Sequence, residues 1–310
     1  MHGLIIVDKP KGWTSHDVIL HLRKILGTKK IGHTGTLDPL ATGVLLITIG
    51  QATRLFPFFC SLDKTYSGEI RLGIATETYD SEGHPLGPEC FNFPSEKKLR
   101  EAVKSFEGHI TQLPPPFSAK KINGQAAFRL ARKGLSPQLK PIKVTIHRFL
   151  ILDYSPPLLK FEVECSSGTY IRTLAHDLGQ RLGCGGHISQ LRRLAVGYYT
   201  EEEAYPLEKI KEMVKKEQSA RIIKPLETLL PHLPAIWLDE AGSKEFLHGS
   251  KITFERVARA NLSPDQPKLV RLVIEKDTFR IFSSEGGLLG LATFIPENRY
   301  FQPRIVLKAS

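Results

Sequence analysis

One carboxylate in this chain stands in a loop from which it could do chemistry. Asp38 lies in Gly32-His33-Thr34-Gly35-Thr36-Leu37-Asp38-Pro39-Leu40-Ala41-Thr42-Gly43, a stretch with three glycines among twelve residues. Glycines at that density permit tight turns and close backbone approach, so the stretch reads as a shaped loop feeding a strand. Pro39 biases Asp38 toward an extended backbone and removes the next amide donor. A carboxylate displayed on such a rigid loop can act as a nucleophile or as a general base. An ordinary Asp-Pro turn is the structural alternative, and the loop alone does not separate the two.

The surrounding pattern supplies elements to hold that loop. Leu4–Val7 is a short apolar run ended by Asp8-Lys9-Pro10-Lys11-Gly12, a strand followed by a loop. Thr14 and Ser15 provide an N-cap. Val18, Ile19, Leu22 and Ile25/Leu26 follow at helical spacing, and Gly27 suits the C′ position. Val44–Ile49 reads as a buried strand. Ser95 opens a helix with Leu99, Val103 and Phe106 on one face. Phe161, Val163 and Cys165 alternate with Glu162 and Glu164 as a half-buried strand. Ile171, Leu174, Ala175, Leu178 and Leu182 form a helical stripe. Pro225, Pro231 and Pro234 cluster in a linker near Ile222–Pro234. A short helix around Gly242–His248 and strands over Leu269–Glu275, Thr278–Ser283 and Leu288–Ile295 are expected beyond it. Two domains are expected, residues 1–228 and 229–310.

Composition narrows the class of partner. The chain has 310 residues and a formal net charge of +11. Residues 231–310 carry 11 Lys and Arg against 9 Asp and Glu, so most of the excess lies before them. A basic excess suits a polyanion, because each neutralised phosphate releases counterions. Residues 108–152 contain no Asp or Glu. They hold Lys120, Lys121, Arg129, Arg132, Lys133, Lys140, Lys143 and Arg148, interleaved with Phe117 and Phe128. This stretch is expected to protrude and lie on nucleic acid, against the plain alternative of a solvated basic face. No apolar run approaches the roughly 18 residues of a membrane span. The N-terminus lacks the basic region of a signal peptide. Cys60, Cys90, Cys165 and Cys184 lack metal-ligand spacing, so reduced thiols, no zinc and a cytoplasmic location are expected.

The loop around Asp38 resembles the catalytic motif of the TruB family of pseudouridine synthases. Asp8-Lys9-Pro10-Lys11-Gly12-Trp13-Thr14-Ser15 is similar to that family's N-terminal signature. Asp63-Lys64-Thr65-Tyr66, Ser167-Gly168-Thr169-Tyr170-Ile171-Arg172-Thr173 and Leu191-Arg192-Arg193-Leu194 follow in the family's order. The resemblance implies a mixed α/β (α+β) pseudouridine synthase fold, with a large, mainly antiparallel sheet flanked by helices. A small PUA-like C-terminal β-barrel would follow it. The implied activity is isomerisation of one uridine in the tRNA T loop (position 55), without cofactor or metal. Asp38 would attack the flipped base or its sugar, and Arg172 would pair with Asp38 and keep its negative charge. Tyr66 would stack on the base and relay a proton. Tyr170 and Leu191 would wall the pocket. His33 would stack where the everted base had been, because unstacking costs a few kcal/mol. Lys9 would contact phosphate, with Lys120, Lys121, Arg129, Arg132 and Lys133 in an RNA-clamping insertion over about 108–150.

Two rivals stand beside this reading. A guide-dependent synthase shares the carboxylate motif but departs after Asp-Pro, where this chain has Leu40-Ala41-Thr42-Gly43. A non-catalytic tRNA-binding folding chaperone needs the basic stretch but neither Asp38 nor Arg172. A monomer acting without an obligatory protein partner is expected.

Overall fold

The structure is a computed structural model that describes residues 1–118, 120–122, 124–131, 134–135, 138–261 and 278–307. The strand expected over Leu269–Glu275 lies outside the described residues. A ten-stranded sheet organises the first two thirds of the chain. From one edge it runs β12 (Tyr205–Pro206), β1 (Gly3–Lys9), β3 (Thr42–Ile49), β10 (Gly186–Val196) and β4 (Lys64–Leu72). It continues through β9 (Leu158–Cys165) and β8 (Ile142–Ser155) to β5 (Gly108–Gln112). Off this path, β2 (Ile31–His33) pairs with β3, and β11 (Tyr199–Thr200) pairs with β10. Only the β1–β12 and β3–β10 pairings are parallel among those described, so the sheet is mainly antiparallel.

Strand β1 is buried on both faces. Ile5 and Val7 enter the larger core, while Leu4 and Ile6 enter a second cluster on the opposite face. The run Leu4–Val7 therefore lacks alternation, because both of its faces are buried in apolar surroundings. Strand β9 has one such face: Leu159, Phe161, Val163 and Cys165 are fully buried. Helices α1 (Ser15–Leu26), α3 (Glu96–Lys104), α5 (Ile171–Leu182) and α6 (Leu207–Lys215) cover the larger core. Helix α1 begins on a capping box formed by Thr14 and Asp17 and stops at Gly27 in the left-handed conformation. Its Val18, Ile19 and Leu22 are buried, and each contributes roughly 1.5–3 kcal/mol of apolar transfer. Helix α2 (Phe56–Cys60) lies on the other side, where Phe59 joins the second cluster.

The acid-free stretch is only partly a protrusion. Its two ends are sheet: β5 and β8 pair antiparallel from Gly108–Ile146 to Gln112–Ile142, and Arg148 is paired with Glu162 across β8–β9. Buried apolar residues at Val144, Ile146 and, past a register shift, Phe149 draw this segment into the core despite its charge. Between the two ends lie β6 (Lys121–Ile122), β7 (Gln125–Ala126) and α4 (Ala127–Ala131). The expected insertion is therefore confined to residues between β5 and β8.

A second sheet of six strands forms a nearly closed, barrel-like unit. Its order is β14 (Ile252–Thr253), β18 (Tyr300–Val306), β17 (Leu288–Ile295), β16 (Thr278–Phe282), β13 (Ala235–Leu238) and β15 (Val257–Asn261), with α7 (Glu240–Leu247) against it. The change of sheet falls in the proline-rich connection after α6. Leu229, Leu230 and Leu291 pack with β1 and β3, so apolar contact joins the two units. Among the described residues, no helix is long and apolar enough to cross a membrane.

Gly43 makes the β3–β10 pairing possible. It has φ +96°, and a Cβ there would stand 2.3 Å from the Arg193 carbonyl oxygen. Substitution Gly43→Ala is expected to cost about 1–3 kcal/mol through backbone strain alone, with more from the clash, measured by urea unfolding.

Candidate active site

The loop from Thr34 to Ala41 is held from beneath by the segment after β1. Buried Ser15 clasps Leu37 through both polar groups: its hydroxyl accepts from Leu37 N (2.9 Å) and donates to Leu37 O (3.1 Å). The Gly12 amide donates to Pro39 O at 2.8 Å. Lys9 is fully buried, and its ammonium donates to Pro10 O (2.9 Å), Trp13 O (2.7 Å) and Pro39 O (3.4 Å). This corrects the expectation for Lys9, because an ammonium enclosed among backbone carbonyls is out of a phosphate's reach. Its inward position follows from period two, since Ile5, Val7 and Lys9 share one face of β1.

Asp38 itself projects from this brace with its side chain 37 % exposed. Arg172 grips it side-on, with Nε 2.8 Å from Oδ2 and Nη2 3.0 Å from Oδ1. The remaining donors of the guanidinium are also used. Nη2 donates to Phe117 O (2.9 Å), and Nη1 donates to Thr78 O (2.9 Å) and to the buried Asp80 carboxylate (3.2 Å). Five N–H groups thus meet five acceptors, and a planar fork so filled has one orientation.

Arg172 is the second residue of α5, where the helix dipole disfavours a cation. Two carboxylates and two carbonyls offset that penalty. The start of α5 is fixed by Gln112 at the end of β5: its amide donates to Tyr170 O (3.2 Å) and accepts from Tyr170 N (3.0 Å). The Thr173 hydroxyl donates to Leu113 O (3.2 Å).

A cavity of about 440 Å³ opens beside Asp38. Of the residues expected from sequence, Asp38, Tyr66, Lys120, Tyr170, Arg172 and Leu191 all line it. Tyr66 reaches it from β4 and Leu191 from β10, on paired strands. Burial pushes the Tyr66 phenol up, opposed by Arg193, which hydrogen-bonds it. The phenol is therefore protonated at neutral pH.

His33 does not line the cavity. It ends β2 half-buried, with Nδ1 lacking a hydrogen-bond partner, and burial lowers its pKa with Arg193 and His16 adding to the effect. Of the basic residues in the insertion, Arg129 lies with its guanidinium 5.9 Å from the Phe128 ring. Arg132 and Lys133 lie outside the described residues, as does the side chain of Lys121.

Several site residues escaped the reading of the sequence. Asp80 is one, since nothing local marks a carboxylate that meets its partner 92 residues later. Lys64 and Arg193 are the others. Both line the cavity, and Arg193 is 2 % exposed, donating to Val44 O (2.7 Å) and Gly35 O (3.0 Å). Burial, with Arg193 nearby, lowers the Lys64 pKa to about 8. A signal for these two was present: Lys64 shares the inward phase of Tyr66, and Arg193 that of Leu191.

Family comparison agrees with the fold. Residues 23–171 match the TruB family pseudouridylate synthase (N terminal domain), and residues 172–231 match the tRNA pseudouridylate synthase B C-terminal domain. A Cbf5 structure, solved as a Cbf5-Nop10-Gar1 complex, superposes with TM-score 0.74 at 26 % identity, covering 99 % of this chain and 85 % of that one. The fold is that of a pseudouridylate synthase. Tighter likeness comes from proteins named tRNA pseudouridine synthase B. That of Solibacter usitatus is 41 % identical over 249 residues (80 % of this chain, 85 % of the relative). That of Aquifex aeolicus is 38 % identical over 291 residues (93 % and 98 %). The chain belongs to the TruB family.

The buried Lys9 ammonium yields a test of its structural role. Substitution Lys9→Met leaves backbone carbonyls unpaired and is expected to cost about 1–3 kcal/mol, with tRNA affinity unchanged. Burial, partly opposed by Asp38, lowers the Lys9 pKa from 10.5 to about 8 in the folded protein. The unfolded chain then binds more protons between these values, so the stability advantage of wild type over Lys9→Met should grow as pH rises above 8. Chemical denaturation of both proteins at a series of pH values reads it.

Proposed function

We propose that this chain isomerises one uridine in the T loop of tRNA to pseudouridine, with Asp38 as the nucleophile. The observation that carries the reading is the Asp38–Arg172 pair at the wall of a cavity that also presents Tyr66 and Leu191. A uridine everted into that cavity brings its base and C1′ to the carboxylate. The Asp38 carboxylate bonds to C1′ or to the base as the C1′–N1 bond breaks, the base turns, and the bond to Asp38 is released as C1′–C5 forms. The C5 proton leaves, with the Tyr66 phenol relaying it, and N1 gains a proton. Every atom of the product comes from the substrate or from water protons, so the reaction as written consumes no cofactor.

Tyr170 and Leu191 hold the base. His33 fills the stack that the base vacates, since a lost stack must be replaced for eversion to persist. Lys120, Lys121, Arg129, Arg132 and Lys133 clamp the T arm through phosphates, which position RNA without reading its sequence. Recognition of the T loop then rests on folded RNA shape. The catalytic unit spans residues 1–228, and residues 229–310 form an RNA-binding unit. The protein acts in the cytoplasm as a monomer and needs neither guide RNA nor protein partner. Identity near 40 % with proteins named tRNA pseudouridine synthase B, against 26 % with Cbf5, supports this choice over a guide-dependent enzyme.

Purified protein is expected to form pseudouridine in a bare tRNA transcript, mapped by nucleotide-resolution modification analysis. Asp38→Asn should abolish the product while keeping tRNA affinity. Turnover by that variant would refute the mechanism, and dependence on a guide or partner would refute the stand-alone assignment.

A further inference from the structure

The turn that serves Arg172 contains a conformation its sequence does not favour. Tyr79 has φ +63°, in the left-handed region that aromatic residues avoid. It stands between Thr78, whose carbonyl accepts from Arg172 Nη1, and Asp80, whose carboxylate accepts from the same nitrogen. The turn is closed internally by Thr76 Oγ1 donating to Asp80 O (2.7 Å) and Thr78 Oγ1 donating to Asp80 Oδ1 (2.5 Å). It is tied to β10 through Ile188 N to Tyr79 O (3.0 Å) and Ser81 N to Ile188 O (2.9 Å). Glycine would adopt this backbone without strain, so a tyrosine here needs an offsetting contact.

That contact is His176. The two rings stack with centroids 3.8 Å apart and planes 12° apart. His176 lies four residues after Arg172 on α5, one turn along the same face. The helix therefore grips the turn twice, once through the guanidinium and once through the imidazole. Neither ring lines the cavity beside Asp38.

We propose that the Tyr79–His176 stack is a positioning device for the isomerisation. It sets the height of the Thr78–Asp80 turn against α5, which fixes the plane of the Arg172 guanidinium and, through the bidentate contact, the direction of the Asp38 carboxylate. Without the stack, α5 holds the turn through the Arg172 guanidinium alone, so the guanidinium follows the turn when it settles away from the helix. The inference rests on Asp38 and Arg172 forming the reacting centre.

Tyr79→Gly separates positioning from folding, because glycine accepts the left-handed backbone while deleting the ring. The single-turnover rate of pseudouridine formation is expected to fall about ten- to a hundredfold, with the tRNA Kd and thermal midpoint close to wild type. Tyr79→Phe keeps the stack and should retain the wild-type rate. His176→Ala should reproduce the loss, and the double variant should add nothing to it, since both changes break one contact. A wild-type rate in Tyr79→Gly overturns the proposal, as does additivity in the double variant. A loss confined to Kd also overturns it, by making the ring an RNA contact. If wild-type protein forms no pseudouridine, the functional reading fails. The crystal structure of Tyr79→Gly then decides alone: displaced Asp38 and Arg172 side chains support positioning, and unmoved ones overturn it.

Discussion

A single guanidinium organises the site. Arg172 has five N–H donors and meets five acceptors drawn from three other parts of the chain: the Asp38 loop, the Thr78–Asp80 turn and the segment at Phe117. Each contact constrains the others because the fork is planar and rigid. A lysine could supply the charge but could not hold a carboxylate side-on while gripping three more acceptors. The paired carboxylate nevertheless keeps a 37 % exposed face toward the cavity, so it is held without being sealed. The buried Asp80 has the opposite role, since at 3 % side-chain exposure it serves the arginine and not the substrate.

The sheet exists to bring these parts together. Parallel pairing of β3 with β10 puts Gly43 beside Arg193, and antiparallel pairing of β10 with β4 puts Arg193 beside Tyr66. Side chains from three distant stretches thereby converge on one wall of the cavity. The connection from β5 to the insertion reaches the same point, because Gln112, Leu113 and Phe117 contact Tyr170, Thr173 and Arg172 in succession. Movement of this connection therefore acts on the start of α5. The activity that follows from this arrangement is the conversion of a tRNA uridine to pseudouridine, as expected for a TruB-family chain.

Much of this was legible in the residues. Apolar periodicity located β1, α1, β9, α5 and β17, because burial on one or two faces dictates where apolar residues stand. The loop motif picked out Asp38, and its matching segments picked out Tyr66, Tyr170, Arg172 and Leu191, all of which meet at the cavity. Charge was the poorer guide. Lys9 read as a phosphate ligand and is a buried strut, and both ends of the acid-free stretch are sheet, with Arg148 already paired. A lysine or arginine looks the same in sequence whether its head reaches solvent or backbone carbonyls, and only the inward phase of its strand separates the two. Asp80 carried no such mark, since its partner is brought to it by tertiary folding alone.

The shape of the arginine fork, and not merely its charge, sets the direction of the Asp38 carboxylate. Single-turnover pseudouridine formation by Arg172→Lys, measured alongside its tRNA Kd, tests this directly. A retained charge with a lost fork should leave the Kd near wild type and lower the rate about a hundredfold or more. A rate matching wild type would show that charge alone orients Asp38.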